Sequence, residues 1–163
     1  MRSVAKIILW VIAIAIIIGL VAYFYKPKDQ SAGASPDEVF SLNLPEGMIT
    51  LKAPKGTLKV VEATSSESQA IGLSGLESMP VDQGLLFVFE YQGIYEFWMK
   101  DMLFPLDIIW INEDKTVAGI SSDLAPETYP ETFISPNEVK YVLEVNAGRA
   151  ATLGIATGTS LVF

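Results

Sequence analysis

The segment from Gly84 to Ile111 contains the residues of this chain that are best placed to do chemistry. It reads as three apolar strands, yet Lys100, Asp101 and Asp107 lie among its aromatic and aliphatic residues. Taking a charge out of water without giving it a partner is costly. We therefore expect these charges to pair with each other, to meet a ligand, or to lie in water at the strand ends.

The candidate ligand-binding residues are Trp98, Lys100, Asp107 and Glu144. Side chains alternate along a strand, so Trp98 and Lys100 share one face, where the indole ring could stack on a ligand. Lys100 and Asp107 would then fix the orientation of that ligand. Glu144, on a later strand, could face the same region.

A structural interpretation competes with this binding site. If Lys100 lies opposite Leu106 in an antiparallel hairpin, Asp107 faces away from Lys100, whereas a slip of one residue brings the two charges together as an ion pair. Alternatively, the carboxylate of Asp107 accepts backbone N–H bonds and fixes the turn around Pro105.

Most catalytic templates are excluded by composition. The chain has no His and no Cys, which rules out Ser-His-Asp and Cys-His catalysis, disulfides, and imidazole or thiolate metal sites. No phosphate-binding loop or dinucleotide fingerprint is present. We assign no catalytic residue, no metal ligand and no cofactor. A hydrolase that uses two carboxylates is an alternative, with its acids drawn from Glu96, Asp101, Asp107 and Glu144.

The elements that must position these residues are short. A Thr64–Glu67 capping-box spacing predicts a short helix, and Asn146 predicts a cap for a second helix over 147–153. A polar turn at 113–115 predicts a hairpin. Strands are predicted at 57–62, 85–90, 95–100, 106–112, 116–120, 139–145 and 160–163. This pattern indicates a mainly β domain, a compact antiparallel β-sandwich or half-barrel with one or two short helices.

The N-terminus predicts a membrane anchor. Arg2 and Lys6 precede the apolar run Ile7–Tyr25, whose 19 residues at ~1.5 Å each come close to the ~30 Å hydrocarbon core of a bilayer. The competing interpretation is a signal peptide cleaved near residues 32–34, where Ala-Gly-Ala resembles a cleavage site. The predicted organisation is an anchor at 1–28, a flexible linker at 29–38 and one domain at 39–163.

The expected location of the domain and its net charge limit the kinds of partner that it can bind. The expected arrangement is a single pass through the inner or plasma membrane by residues 7–25, with the domain on the extracytoplasmic side. From Gln30 onward the chain carries 7 basic and 18 acidic residues, a net charge of −11. An acidic domain repels phosphate backbones, so nucleic acid is not expected as a partner. The acidity keeps the domain soluble; calcium binding is the alternative interpretation.

Five stretches together resemble a bacterial and archaeal family known as domain of unknown function family 192. They lie in the family's order and approximate spacing: Gly72–Ser74, Gly84–Phe89, Phe97–Asp101, Pro105–Ile109, and Tyr141–Gly148 with the following Leu153–Ile155. The resemblance implies a β-rich single domain, often behind a signal peptide or anchor, with no established activity. The chain departs from the family by having Ile71 and Leu76 where arginines are usual.

The function expected from these observations is that of a binding or accessory module of the cell envelope rather than an enzyme. Its ligand would be a glycan fragment or a partner protein, bound near Trp98, Lys100 and Asp107. The alternatives are the carboxylate hydrolase and a purely structural or interaction domain.

Overall fold

The computed structural model of the protein describes residues 47–163. The predicted anchor at 7–25, the linker at 29–38 and the first residues of the predicted domain lie outside these described residues. Between residues 47 and 163, no helix is both long enough and apolar enough to cross a bilayer.

Eight strands and two short helices form this part of the chain. The helices are α1 (Ser66–Ile71) and α2 (Arg149–Thr152), and a 3-10 turn lies at Pro126–Thr128. The strands are β1 (Met48–Ala53), β2 (Gly56–Ala63), β3 (Gln83–Gly93), β4 (Glu96–Trp98), β5 (Leu106–Ile111), β6 (Val117–Leu124), β7 (Thr132–Ile134) and β8 (Val139–Asn146). The prediction of a mainly β domain with one or two short helices is confirmed.

The strands form one large mixed sheet and one small sheet. The large sheet has the order β1-β2-β3-β8-β5-β6, and β4 pairs with β7 in the small one. All pairs are antiparallel except β2–β3, whose parallel crossover contains α1. The sheets therefore differ from the predicted sandwich or half-barrel in their unequal size and in this parallel pair.

The antiparallel hairpin of strands 95–100 and 106–112, considered above as one possible arrangement, does not form. Strand β5 is already paired with β6 on one side and β8 on the other, so it has no edge left for β4. A turn at 99–102, in which Asp101 has a φ of 57°, leads the chain from β4 back into β5. In contrast, the predicted hairpin at 113–115 is confirmed as the β5–β6 connection.

The apolar runs of the sequence become the centre of the large sheet. All six residues of β5 are buried, which explains why it lacks the alternation of an exposed strand. One face of the sheet, the α1 face, carries Leu85, Ile108, Trp110 and Val142 and is covered by the loop after α1 and by the small sheet. The opposite face, the α2 face, is covered by α2 and by the C-terminal residues.

The cap predictions are corrected in both helices. Helix α1 begins one residue later than predicted: Ser65 is its N-cap and forms the capping box with Ser68, in place of Thr64 and Glu67. Asn146 does not cap α2. It ends β8, and its Nδ2 donates hydrogen bonds to the carbonyls of Met79 (2.9 Å) and Pro80 (3.3 Å).

The end of the chain is attached to the sheet by two isolated bridges, Lys52–Val162 and Thr116–Ser160, instead of by the regular strand predicted at 160–163. Leu161 is buried between these bridges on the α2 face.

Gly84→Ala is expected to destabilise the domain by about 1–3 kcal/mol, because there is no room for its methyl group. A Cβ at this position in β3 would lie 2.9 Å from the carbonyl oxygen of Glu144, in the backbone of the neighbouring strand. Urea unfolding measures the change. Gly47→Ala is the matched control, since its Cβ would meet nothing within 4 Å; equal stability of the two variants would contradict the prediction.

Candidate functional site

A cavity of about 430 Å³ opens on the α1 face. Its walls come from α1 and the loop that follows it, from the middle of β3, and from the segment 95–98 that contains β4. Five aromatic side chains line it: Phe87, Phe89, Tyr95, Phe97 and Trp98. We call this cavity the aromatic cleft.

Ring contacts fix one wall of the aromatic cleft. Phe89 and Tyr95 stack with their centroids 3.6 Å apart, and Phe97 meets Phe87 edge to face at 4.9 Å. Phe97 also contacts Trp110 of the core edge to face, at 5.5 Å. The hydroxyl of Tyr95 donates a 2.7 Å hydrogen bond to a backbone carbonyl of β3. These rings are thus held by the sheet, as a preformed binding surface requires.

Side-chain and backbone hydrogen bonds fix the opposite wall. From α1, Nε2 of Gln69 donates to the carbonyls of Ala63 (3.1 Å) and Val88 (3.0 Å), which ties the helix to β2 and β3. Gly72 ends the helix with a φ of 53°, a conformation that favours glycine, and turns the chain along the cleft. The Gly72–Ser74 and Phe97–Asp101 stretches then meet, because Ser74 Oγ donates to the carbonyl of Lys100 at 3.3 Å.

Glu144 is the buried polar group of the aromatic cleft. It lies on the central strand β8, between Leu85 of β3 and Ile108 of β5, and only 5 % of its surface is exposed. Its Oε2 has no hydrogen-bond partner among the described residues. Desolvation raises the pKa of this carboxyl group to about 8. At neutral pH the group is therefore mostly uncharged, able to donate one hydrogen bond and to accept others.

Trp98 lies at the exposed rim of the same cleft. It is the last residue of β4, and 53 % of its surface is accessible to solvent. Glu96, two residues earlier and also exposed, lines the cleft as well. No lysine or arginine is among the residues that line it.

Asp107 does not face the aromatic cleft. Only 1 % of its surface is exposed. It is paired with Val145 of β8, and its side chain lies on the α2 face of the sheet. Its Oδ1 accepts a hydrogen bond from the N–H of Asp123 (2.9 Å), and its Oδ2 accepts one from the N–H of Ala150 (3.0 Å). Because the N-cap of α2 is Gly148, which has no side chain to offer, Asp107 supplies the capping oxygen from another element.

Lys100 is exposed in the turn at 99–102 and forms no ion pair with Asp107 in the part of the chain that the structure describes. Of the four residues predicted to bind a ligand, the structure brings together Trp98 and Glu144 and leaves Lys100 and Asp107 outside the cleft. Across residues 47–163, no group of three or more acidic side chains is placed to hold a metal ion.

Sequence reasoning missed the aromatic lining. A signal was present, because Phe87 and Phe89 lie two positions apart in β3, and Tyr95 and Phe97 lie two positions apart in the segment that contains β4. The contribution of α1 left no such signal, since three of its four lining side chains are small or polar: Ser66, Gln69 and Ala70, with Ile71 as the exception.

The comparisons with known proteins agree with this fold. The model of the family DUF192, described as "Uncharacterized ACR", matches residues 49–163. A crystal structure of a protein from Sinorhizobium meliloti 1021, provisionally described as a transcription regulator, is 30 % identical with a TM-score of 0.68; the match covers 72 % of this chain and 94 % of that one. A protein of unknown function from Novosphingobium aromaticivorans DSM 12444 is 27 % identical with a TM-score of 0.67, covering 71 % of this chain and 85 % of that one. No curated protein matches the chain significantly.

Asp107→Asn is expected to lower the free energy of unfolding by about 2–4 kcal/mol. The amide keeps one acceptor oxygen, but its NH₂ group must face the second of the two backbone N–H donors. Chemical denaturation provides the measurement. Asp123→Asn is a matched control, because it removes one nearby carboxylate that is exposed and leaves the backbone donor in place. A loss no larger than that of the control would show that the two bonds do not support the fold.

Glu144→Gln is expected to stabilise the domain relative to wild type at pH 8 but not near pH 4.5. The folded-state pKa of about 8 lies above the ordinary value of 4.5, so the folded protein keeps a proton that the unfolded chain has lost. The free energy of unfolding of the wild type therefore falls as the pH rises between these values, by up to a few kcal/mol. The glutamine variant lacks this dependence.

Thermal unfolding of both proteins across this pH range tests the expectation. Glu96→Gln serves as the control, because its side chain lines the same cleft but is exposed. Parallel stability profiles for wild type and Glu144→Gln would mean that Glu144 is not held in its neutral form.

Proposed function

This protein belongs to the family DUF192, and we propose that it acts as a binding module that holds a small organic ligand in its aromatic cleft. Trp98 at the rim and Glu144 in the buried wall are its principal contacts. The proposal retains the predicted binding role but moves the site away from Lys100 and Asp107.

The observation that carries this proposal is the unpartnered Oε2 of Glu144. Buried polar atoms in folded proteins nearly always have a hydrogen-bond partner, and a missing partner calls for an explanation. Asp107, on the neighbouring strand, shows that this sheet can satisfy a buried carboxylate completely. A ligand that enters the aromatic cleft would supply the partner that Glu144 lacks.

The dimensions and lining support a small ligand. A volume of about 430 Å³ falls within the ~300–1,000 Å³ typical of small-molecule sites, which combine apolar walls with a few polar groups. The exposed indole of Trp98 offers a flat surface on which a ring, including the apolar face of a sugar, can stack.

We further propose that the module works at the cell envelope, anchored through residues 7–25 with the folded domain on the extracytoplasmic side. The support is the length and charge pattern of the N-terminal sequence, together with the acidity of the remainder. The S. meliloti protein is provisionally described as a transcription regulator, but in this chain residues 47–163 carry 7 basic and 15 acidic side chains. That excess of negative charge opposes contact with phosphates.

A second candidate function is hydrolysis by two carboxyl groups. It is favoured by the presence of Glu144, which is protonated at neutral pH and suited to a general acid, in the same cleft as Glu96. The two functions separate readily, because only a hydrolase converts the bound molecule into a product.

Trp98→Ala is expected to weaken ligand binding by about tenfold or more, since stacking on an aromatic ring contributes on the order of 1 kcal/mol beyond the area it buries. Stability should change little, because the side chain is half exposed. Saturation-transfer NMR of the full-length protein with a library of ring-containing fragments identifies binders, and titration gives their affinities.

Tyr129→Ala is the matched control, because Tyr129 is an aromatic residue exposed to a similar extent and does not line the cleft. Fragments whose binding is weakened in Trp98→Ala but not in Tyr129→Ala support the proposal. If no fragment binds, or both variants bind equally well, the cleft is not a ligand site. Conversion of a bound fragment during the experiment would favour the hydrolase.

A further inference from the structure

We infer that the ligand of the aromatic cleft is an organic cation, a quaternary ammonium or protonated amine joined to a small organic body. The inference rests on the proposed function and specifies the chemistry of its ligand. It depends on three properties of the lining: its rings, the sign of its charges and the position of Glu144.

The rings of the lining suit a cation. Phe87, Phe89, Tyr95, Phe97 and Trp98 come from two segments of the chain and border one cavity. The faces of such rings carry partial negative charge, and groups of them recognise alkylated ammonium ions in many proteins. The stacked pair Phe89–Tyr95 and the exposed Trp98 give this cleft both a fixed wall and an accessible rim.

The charges of the lining have one sign. Glu96 and Glu144 are its ionisable carboxyl groups, and neither Lys nor Arg contributes to it. A carboxylate or phosphate ligand would thus meet two acids and no counter-charge. A cation gains attraction from Glu96, and from Glu144 once that group has released its proton; the acidic domain as a whole favours the approach of a cation.

The position of Glu144 couples binding to a proton. Burial of its carboxyl group favours the protonated form. A cation in contact with this carboxyl group stabilises the carboxylate, so the proton leaves to solvent as the ligand enters. A neutral ligand that accepts a hydrogen bond from Glu144 has the opposite effect, because it stabilises the protonated group.

The other titratable groups around Glu144 are exposed, lie on the opposite face of the sheet, or carry a phenol. Glu96 is exposed at the rim, and burial raises the pKa of Tyr95, which keeps its phenol protonated. Asp107 on the flanking strand lies on the other side of the sheet, bonded to backbone N–H groups. The remaining charged side chains on the adjacent α1 and on the turn at 99–102 are exposed: Glu67, Lys100 and Asp101.

Choline and 3,3-dimethyl-1-butanol test the inference, because the two molecules have the same shape and the same hydroxyl group. The quaternary centre is a positively charged nitrogen in choline and a neutral carbon in the alcohol. Isothermal titration of the full-length protein at pH 7, in two buffers of different ionisation enthalpy, gives the affinity and the number of protons exchanged. We expect choline to bind at least tenfold more tightly than the alcohol and to release a proton.

Variants of the acids complete the experiment. Glu144→Gln should abolish the proton release and weaken choline binding about tenfold, while Asp101→Asn, an exposed acid outside the cleft lining, should leave both unchanged. Equal or tighter binding of the neutral alcohol, or choline binding without proton release, would overturn the inference and leave the ligand-binding function standing. Failure of every fragment and of both probes to bind would overturn the proposed function as well.

Discussion

The burial of two carboxyl groups inside one apolar sheet is the constraint on which the rest of the structure depends. Asp107 and Glu144 lie on neighbouring strands, β5 and β8, but on opposite faces. Asp107 is bonded to the backbones of β6 and of α2, so that its charge connects three elements that are distant in sequence. Glu144 has no such partner, and its burial is tolerated by keeping the proton. One acid thus organises the fold, and the other is the buried group on which the proposed binding site depends.

Much of the fold could be predicted from the sequence, because the patterns that indicate it involve residues that are close together along the chain. The apolar runs, the turn at 113–115 and the start of α1 depend on neighbouring residues, and they formed close to where they were expected. The pairing of β4 with β7 was not predictable in this way, since it joins segments more than 30 residues apart and depends on which sheet edges are already occupied. Asn146 illustrates the same limit. Its position in the sequence suits a helix cap, but its side chain instead donates hydrogen bonds to two carbonyls of a loop that is distant in sequence.

Two of the four residues predicted to bind a ligand, Trp98 and Glu144, line the aromatic cleft, and most of its other lining residues were not predicted, for a related reason. A charged residue within an apolar run indicates either a ligand-binding site or a hydrogen bond or ion pair that supports the fold. The two cannot be distinguished until the spatial neighbours of the residue are known. Trp98 and Glu144 line one cleft, whereas Asp107 has the backbone partners that one interpretation of the sequence included. Family membership, shown by the match over residues 49–163, names no activity, so the proposed function depends on the cleft itself.

The two walls of the aromatic cleft differ in how they are built. The ring-bearing wall belongs to the sheet, while the other consists of a single short helix and its following loop, attached by a few bonds from Gln69 and Ser74. Ile71, the last residue of α1, lies in this second wall, and 45 % of its surface is exposed. If the cleft binds a ligand as proposed, exchange of the segment 66–74 between relatives would change which molecule is bound and leave the core of the large sheet unaltered.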